Sequence, residues 1–175
     1  MDLRFKKANL PSLFSTILPN EHRYEVVIHY RIGDKKSRYS SPGTVGTDGV
    51  IDPSVFNKLC QKLLIPLESE IYVLSDEPKV AVQLLQSVGI SAVPFQSLGT
   101  IWEDLHKMSR SHIFLGTWSQ VSHLGASLVA NNGGRGFIPA SSSGRVNRIK
   151  WQIPGVEFYE PEFLGPEEIQ RLLMG

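Results

Sequence analysis

The chain has 175 residues, 41% of them hydrophobic, with 18 Lys and Arg against 17 Asp and Glu. That length and apolar content specify one domain with a proper core and exclude a disordered chain or a disulfide-stapled miniature. The near-even charge balance excludes a global field that selects nucleic acid or an anionic membrane.

The single cysteine, Cys60, has no partner for an intramolecular disulfide, which removes any argument for an oxidising compartment. It falls inside an apolar helical pattern, where a small core residue is expected. No apolar run approaches the roughly 20 residues of a membrane span, and no signal-peptide core opens the chain. The expectation is a soluble, cytoplasmic protein with no membrane span and no nucleic-acid partner.

Strands and helices take turns along the sequence. Residues 1–23 read as an N-terminal extension, and residues 24–32 as the first strand, apolar and β-prone through Val26, Val27 and Ile28. Asp52 followed by Pro53 is a cap and a first-turn proline, opening a helix through about residue 64. Residues 70–76 form a second buried strand ending in Ser75 and Asp76. A helix starts at Pro78 and stops at Gly89. Residues 90–95 make a weak third strand, and Thr100 caps a helix carrying Trp102, Leu105 and Met108. Residues 112–117 are a fourth strand and 119–129 a small-residue helix, ending in the glycine-rich stretch 131–136. Residues 136–139 and 156–159 read as two further strands, with an amphipathic helix over 166–174 closing the C-terminal segment 160–175.

Strands of four to eight residues alternating with helices of about ten argue for βαβ units and a parallel sheet. The fold class is α/β: a single Rossmann-like domain over 1–175, doubly wound, mostly parallel, with helices on both faces. Right-handed crossovers place the loops after each strand on one common edge. The tips that matter are then Arg31 with Asp34, Ser75 with Asp76, and Thr117 with Ser119. Residues 33–49 and 140–151 read as two long loops, of the kind that are usually functional or mobile.

The familiar phosphate loops are missing: neither Gly-x-x-x-x-Gly-Lys-Ser/Thr nor Gly-x-Gly-x-x-Gly follows the first strand. The glycines of 131–136 lie after a helix, where a helix stop explains them. The five histidines have no His-x-x-x-His pair and no cysteine partner, so no zinc site is expected, and no Gly-x-Ser-x-Gly nucleophile elbow is present.

What remains is an anion site assembled from separate pieces. Arg31, at the carboxyl end of a strand, suits a phosphate because its planar fork gives paired charge-assisted hydrogen bonds. The turn Thr117-Trp118-Ser119 leads into a helix whose free N–H groups and positive dipole end favour an anion. Ser119 is an N-cap, a phosphate ligand, or both. Asp76 either accepts hydrogen bonds from a ribose or base, or caps the helix that begins at Pro78.

Three segments together resemble the fucosyltransferase superfamily, above all its α1,6- and protein O-fucosyltransferase-like branch. His29-Tyr30-Arg31-Ile32-Gly33-Asp34-Lys35 resembles the His-x-Arg-Arg-x-Asp-Lys signature. Ile71 through Ser75-Asp76-Glu77-Pro78 is similar to the second block, a strand ending in a Thr/Ser-Asp-Asp/Glu-Pro turn. Asp104 through Ser109, with Thr117-Trp118-Ser119-Gln120-Val121-Ser122, resembles the third. The resemblance implies the donor-binding, C-terminal half of a GT-B glycosyltransferase, inverting and independent of a bound metal, with GDP-fucose as donor substrate and no cofactor. It implies that Arg31 contacts the β-phosphate and steadies the leaving GDP. It further implies that His29 lies at the nucleotide site, that Asp76 ends the second block, and that Thr117, Trp118 and Ser119 form the turn holding the diphosphate.

The sequence also departs from the pattern. Ile32 stands where the second motif arginine is expected, Trp118 replaces the aromatic of the third block, and its second serine is Gln120 or Ser122 depending on alignment. A GT-B enzyme carries a further Rossmann-like domain ahead of this one. The expectation is therefore a separated donor half, completed by a second chain, or a truncated relative. The glycan or protein acceptor is not legible. Two other functions stay open: a non-catalytic nucleotide or nucleotide-sugar binding module, and a doubly wound domain of other function such as a flavodoxin-like one.

Overall fold

The computed structural model describes residues 24–39, 49–66, 68–96, 99–140 and 154–174. Expectations placed on 1–23, on 40–48 and on 141–153 lie outside them. Six strands, β1 (Tyr24–His29), β2 (Ile71–Leu74), β3 (Ala92–Pro94), β4 (Ser111–Gly116), β5 (Arg135–Pro139) and β6 (Val156–Tyr159), form one sheet in the order β3-β2-β1-β4-β5-β6. Every neighbouring pair is parallel. The helices are α1 (Gly33–Tyr39), α2 (Pro53–Lys62), α3 (Pro78–Ser87), α4 (Ile101–Ser109), α5 (Gln120–Asn131) and α6 (Pro166–Met174).

This is the doubly wound, Rossmann-like architecture that the alternation implied. The strand order also excludes the flavodoxin-like variant, in which β3 would lie beside β1. Here β1 is bonded to β2 on one side and to β4 on the other, so sheet growth reverses between β1 and β4.

Side chains alternate in period two across the sheet. Val26, Ile28, Tyr30, Ile71, Val73 and Leu115 face one core with Phe56 of α2, Leu85 of α3 and Ile169 of α6. Val27, Leu74, Phe114 and Ile138 face the other, with Leu105 and Met108 of α4 and Ala126 and Val129 of α5. Cys60 is buried in the first core, where desolvation pushes its thiol up to about 11; it packs as a small apolar residue. Trp102, by contrast, is 62% exposed at the start of α4 rather than part of the apolar stripe. The small residues of α5 let it lie close on the sheet. A Cβ on Gly136 would come within 2.7 Å of Ala126, so only glycine fits there.

The helix starts follow their capping residues. Asp52 accepts from the Ser54 N–H at 2.8 Å ahead of Pro53, and Thr100 accepts from the Glu103 N–H while its hydroxyl donates to the Glu103 carboxylate, so each cap supplies a side-chain oxygen to a first-turn amide. The helix at Pro78 differs: its cap position is Glu77, whose carboxylate takes the Lys36 ammonium and no helix N–H, while Asp76 is turned to the Ile32 and Gly33 amides.

Residues 33–49, expected as a loop, begin instead with the short helix α1. Gly33 and the absence of apolar periodicity hid it. Its ties are polar: the Lys36 N–H donates to the Ile32 carbonyl at 3.1 Å, and the Lys36 ammonium meets Glu77 at 2.7 Å.

At the far end of α2 the chain turns through a Schellman motif, with the Ile65 N–H bonded to Cys60 O and the Leu64 N–H to Gln61 O. Leu64 holds the left-handed conformation there at φ 56° and is 88% exposed. A left-handed side chain costs about 1–2 kcal/mol, while glycine costs about 0.5–1 kcal/mol in unfolded-state entropy. Leu64→Gly is expected to raise the free energy of unfolding by about 0.5–1 kcal/mol in chemical denaturation; a loss of stability would show that Leu64 makes a packing contribution.

Candidate functional site

Open parallel sheets hold ligands outside the carboxyl ends of their strands, where the strand order reverses. In this chain that point lies between the ends of β1 and β4, and Thr117 fastens it. Its N–H and its hydroxyl both donate to the His29 carbonyl, at 3.1 and 3.0 Å, and the hydroxyl oxygen accepts from the Arg31 N–H at 3.0 Å. Thr117 is only 2% exposed. Its side chain joins the two strand tips, and its hydroxyl hydrogen is committed to His29.

Asp76 does the same between β2 and β1. Its Oδ1 accepts from the Ile32 N–H at 2.9 Å and its Oδ2 from the Gly33 N–H at 3.1 Å. The Arg31 Nε lies 3.2 Å from Oδ2, and 2.7 Å from Oδ1 of Asp34. A Cβ on Gly33 would meet the Asp76 oxygen at 2.9 Å, so a side chain there would push the carboxylate off its two amides. Asp76 is thus a clamp on the β1–α1 turn and on Arg31, and it does not cap α3. Both carboxylates grip the guanidinium at Nε, so together they fix its direction. Ser75 supports the turn, its hydroxyl accepting from the Glu77 N–H at 3.0 Å.

On the β4 side, Ser119 caps α5, its hydroxyl accepting from the Ser122 N–H at 3.2 Å. The first four amides of a helix have no partner within it. Ser119 satisfies that of Ser122, which leaves the ends of Gln120 and Val121 at the positive end of the helix dipole. Trp118 is half-buried, its ring set edge-on to His123 at 5.7 Å. Ser122, wholly buried, takes the Thr117 N–H on its hydroxyl at 3.0 Å, and that same oxygen lies 2.6 Å from Nδ1 of His29.

Burial holds the His29 imidazole down at about 4; nearby Asp76 opposes this and Arg31 reinforces it. The ring is neutral at pH 7. Two buried tyrosines brace the edge from the other core: Tyr30 donates to the Ile51 carbonyl, and Tyr159 to the Gly116 carbonyl at 2.6 Å. Desolvation keeps both phenols protonated.

The eight side chains singled out in the sequence, His29, Arg31, Asp34, Ser75, Asp76, Thr117, Trp118 and Ser119, therefore gather at one edge of the sheet. Their roles divide. Arg31, Trp118 and Ser119 stay partly exposed there, whereas Thr117, Ser75 and Asp76 hold the backbone of the edge together. Sequence reasoning placed no weight on the Lys36–Glu77 pair or on Tyr159. Neither leaves a local signal, because each acts on a residue distant along the chain. Elsewhere, a polar cleft of about 220 Å³ lies at the opposite edge, lined by Ser109, Arg110, Ser111, His112, Asn132 and Gly134. Its hydroxyls and amide are spent closing helix ends, on His106 O, Met108 O and Ser109 O.

The strand order defines a Rossmann-like domain whose switch point is flanked by the turn that carries Arg31 and by the N-terminus of α5. Among solved structures the chain is similar to POFUT1 in complex with GDP-fucose, in two crystal forms (TM-scores 0.42 and 0.44; 15% and 16% identity), and to POFUT1 in complex with GDP (TM-score 0.42; 15% identity). Each match covers 85% of this chain and 44–46% of the other, so the chain spans about half the length of those proteins. No protein-family model and no curated protein matches it.

Two measurements test this geometry. The folded pKa of His29, about 4, lies below its ordinary value of 6.5. The unfolded chain therefore takes up the proton first, and the stability contributed by the neutral ring is present above pH 6.5 and lost as pH falls towards 4. The contribution amounts to about 3 kcal/mol. Denaturation at pH 7 and pH 4.5 is expected to show a smaller acid loss for His29→Gln than for the wild type; equal losses would place His29 in a solvated setting. Asp76→Asn offers one acceptor to two N–H groups and is expected to cost about 1.5–3 kcal/mol of stability, checked by the same method.

Proposed function

We propose that this chain is the nucleotide-binding domain of a glycosyltransferase that uses a nucleotide-diphosphate sugar, with GDP-fucose as the donor by resemblance. The observation that carries the reading is that β1 and β4 are adjacent parallel strands, so the turn that carries Arg31 and the Ser119-capped start of α5 follow neighbouring strand ends at the switch point. The competing anion position, at the start of α1, is filled by the carboxylate of Asp76. A diphosphate laid over the β4–α5 turn would meet the amides of Gln120 and Val121, the Ser119 hydroxyl and the Arg31 guanidinium.

In transfer, charge develops on the departing diphosphate, and fixed donors aimed at it lower the barrier. Arg31 is the residue assigned to that role, with Asp34 and Asp76 holding its guanidinium in place. The reading includes inversion at the sugar carbon and no divalent metal, as the sequence resemblance implies. The acceptor, and any second chain that completes the cleft, belong to the same proposal.

One observation favours a non-catalytic binding module. Among the described residues the carboxylates nearest the β1 and β2 tips are engaged, Asp34 and Asp76 with Arg31 and Glu77 with Lys36, so none of these three is poised as a base for an acceptor hydroxyl. Thermal denaturation with GDP, GDP-fucose, UDP and ADP separates the readings. A ligand at 100 times its dissociation constant adds about 2.7 kcal/mol of stability. A GDP-selective shift is expected, weakened in Arg31→Ala by about 1.5–3 kcal/mol, the worth of a hydrogen bond to a charged group. Slow hydrolysis or transfer of the sugar is expected of the enzyme and not of the module. Unchanged GDP affinity in Arg31→Ala would remove the site assignment.

A further inference from the structure

Ser122 is wholly buried one turn into α5. Other serines of these helices give their hydroxyl hydrogen to a carbonyl of the preceding turn: Ser109 to His106 O and Ser127 to His123 O. Ser122 has no such acceptor among the described residues. Its oxygen already accepts from the Thr117 N–H at 3.0 Å, and the atom within reach of its hydrogen is Nδ1 of His29, at 2.6 Å. A neutral imidazole carries one N–H, and the partner of one nitrogen decides which. With Nδ1 accepting, the proton sits on Nε2. That nitrogen has no partner among the described residues. Since no buried side-chain nitrogen or oxygen among them lacks a partner, Nε2 keeps some accessible surface although His29 as a whole is 5% exposed.

We infer that Ser122 is a positioning residue: its hydroxyl donates to Nδ1 of His29 and fixes the ring as the Nε2–H tautomer, so that the crevice beside Arg31 is offered a neutral hydrogen-bond donor. A donor without charge suits an acceptor-only oxygen of a phosphate or sugar, and Ser122 couples it to the turn that carries Ser119. The tautomer stands independently of any ligand. The identity of the acceptor oxygen rests on the nucleotide-diphosphate reading.

The full chain, labelled with ¹⁵N-histidine and assigned with His29→Gln, tests this by long-range ¹H–¹⁵N spectra at pH 7. The expected result is an unprotonated Nδ1 and a protonated Nε2 for His29, with Nε2 shifting on addition of GDP. Ser122→Ala is expected to abolish the single tautomer and to weaken GDP binding by about fivefold to tenfold, the worth of one hydrogen bond. A protonated Nδ1 in the wild type would overturn the inference, as would a Ser122→Ala variant with both tautomer and affinity unchanged. If Ser122→Ala does not fold, the wild-type spectrum decides alone. An Nε2–H ring in a protein that binds no GDP would support the role of Ser122 and count against the nucleotide reading.

Discussion

The carboxylate of Asp76 determines where charge can be placed on this sheet edge. In doubly wound folds the turn after β1 opens a helix whose amides ordinarily receive a phosphate. Here the Ile32 and Gly33 amides are already taken, by a side chain from the tip of β2. The protein supplies its own anion at that position, and the same oxygens draw in Arg31. The proposed ligand phosphate is left with the opposite side of the switch point, where α5 begins and its own first turn carries no acidic residue. One interaction thereby commits the N-terminus after β1 to holding the fold, and the proposed reading gives the ligand to the N-terminus of α5.

The second constraint is the joint between β1 and β4. Thr117 and Ser122 carry it, with His29 as their common partner. The arrangement buries polar groups deeply but leaves them satisfied, the condition under which a polar network rigidifies a site. Tyr159 extends the brace across the sheet: from β6, the edge strand, it reaches over β5 to the Gly116 carbonyl. The β4–α5 turn is thus held from both cores, and a neutral His29 is part of what holds it.

Much of this was legible in the sequence, for definite reasons. The strands are short apolar runs bounded by turn residues, and Asp52-Pro53, Thr100 and Ser119 announce helix starts through local chemistry that the structure keeps. The tips of β1, β2 and β4 could be grouped because a parallel sheet leaves them no other place. What was illegible depends on contacts between distant residues. The short helix α1 has no apolar period to reveal it and is held by Lys36 on Glu77. The turn of Asp76 towards Ile32, rather than towards its own helix, follows from the spacing of β1 and β2 and from the missing Cβ at Gly33. The resemblance put Thr117 in the turn that holds a diphosphate; that its hydroxyl hydrogen goes to the His29 carbonyl, 88 residues away in the chain, has no local signal.

The central claim is that the ligand's phosphates bind at the β4–α5 turn and Arg31, and not at the β1–α1 turn. A ¹H–¹⁵N backbone titration of the full chain with GDP measures this most directly. The account predicts that the largest shifts fall on Trp118, Ser119, Gln120 and Val121 and on the Arg31 side chain, while the Ile32 and Gly33 amides stay close to their unliganded positions. Shifts centred on Ile32 and Gly33, with the start of α5 unaffected, would mean that the ligand displaces Asp76, and would contradict it.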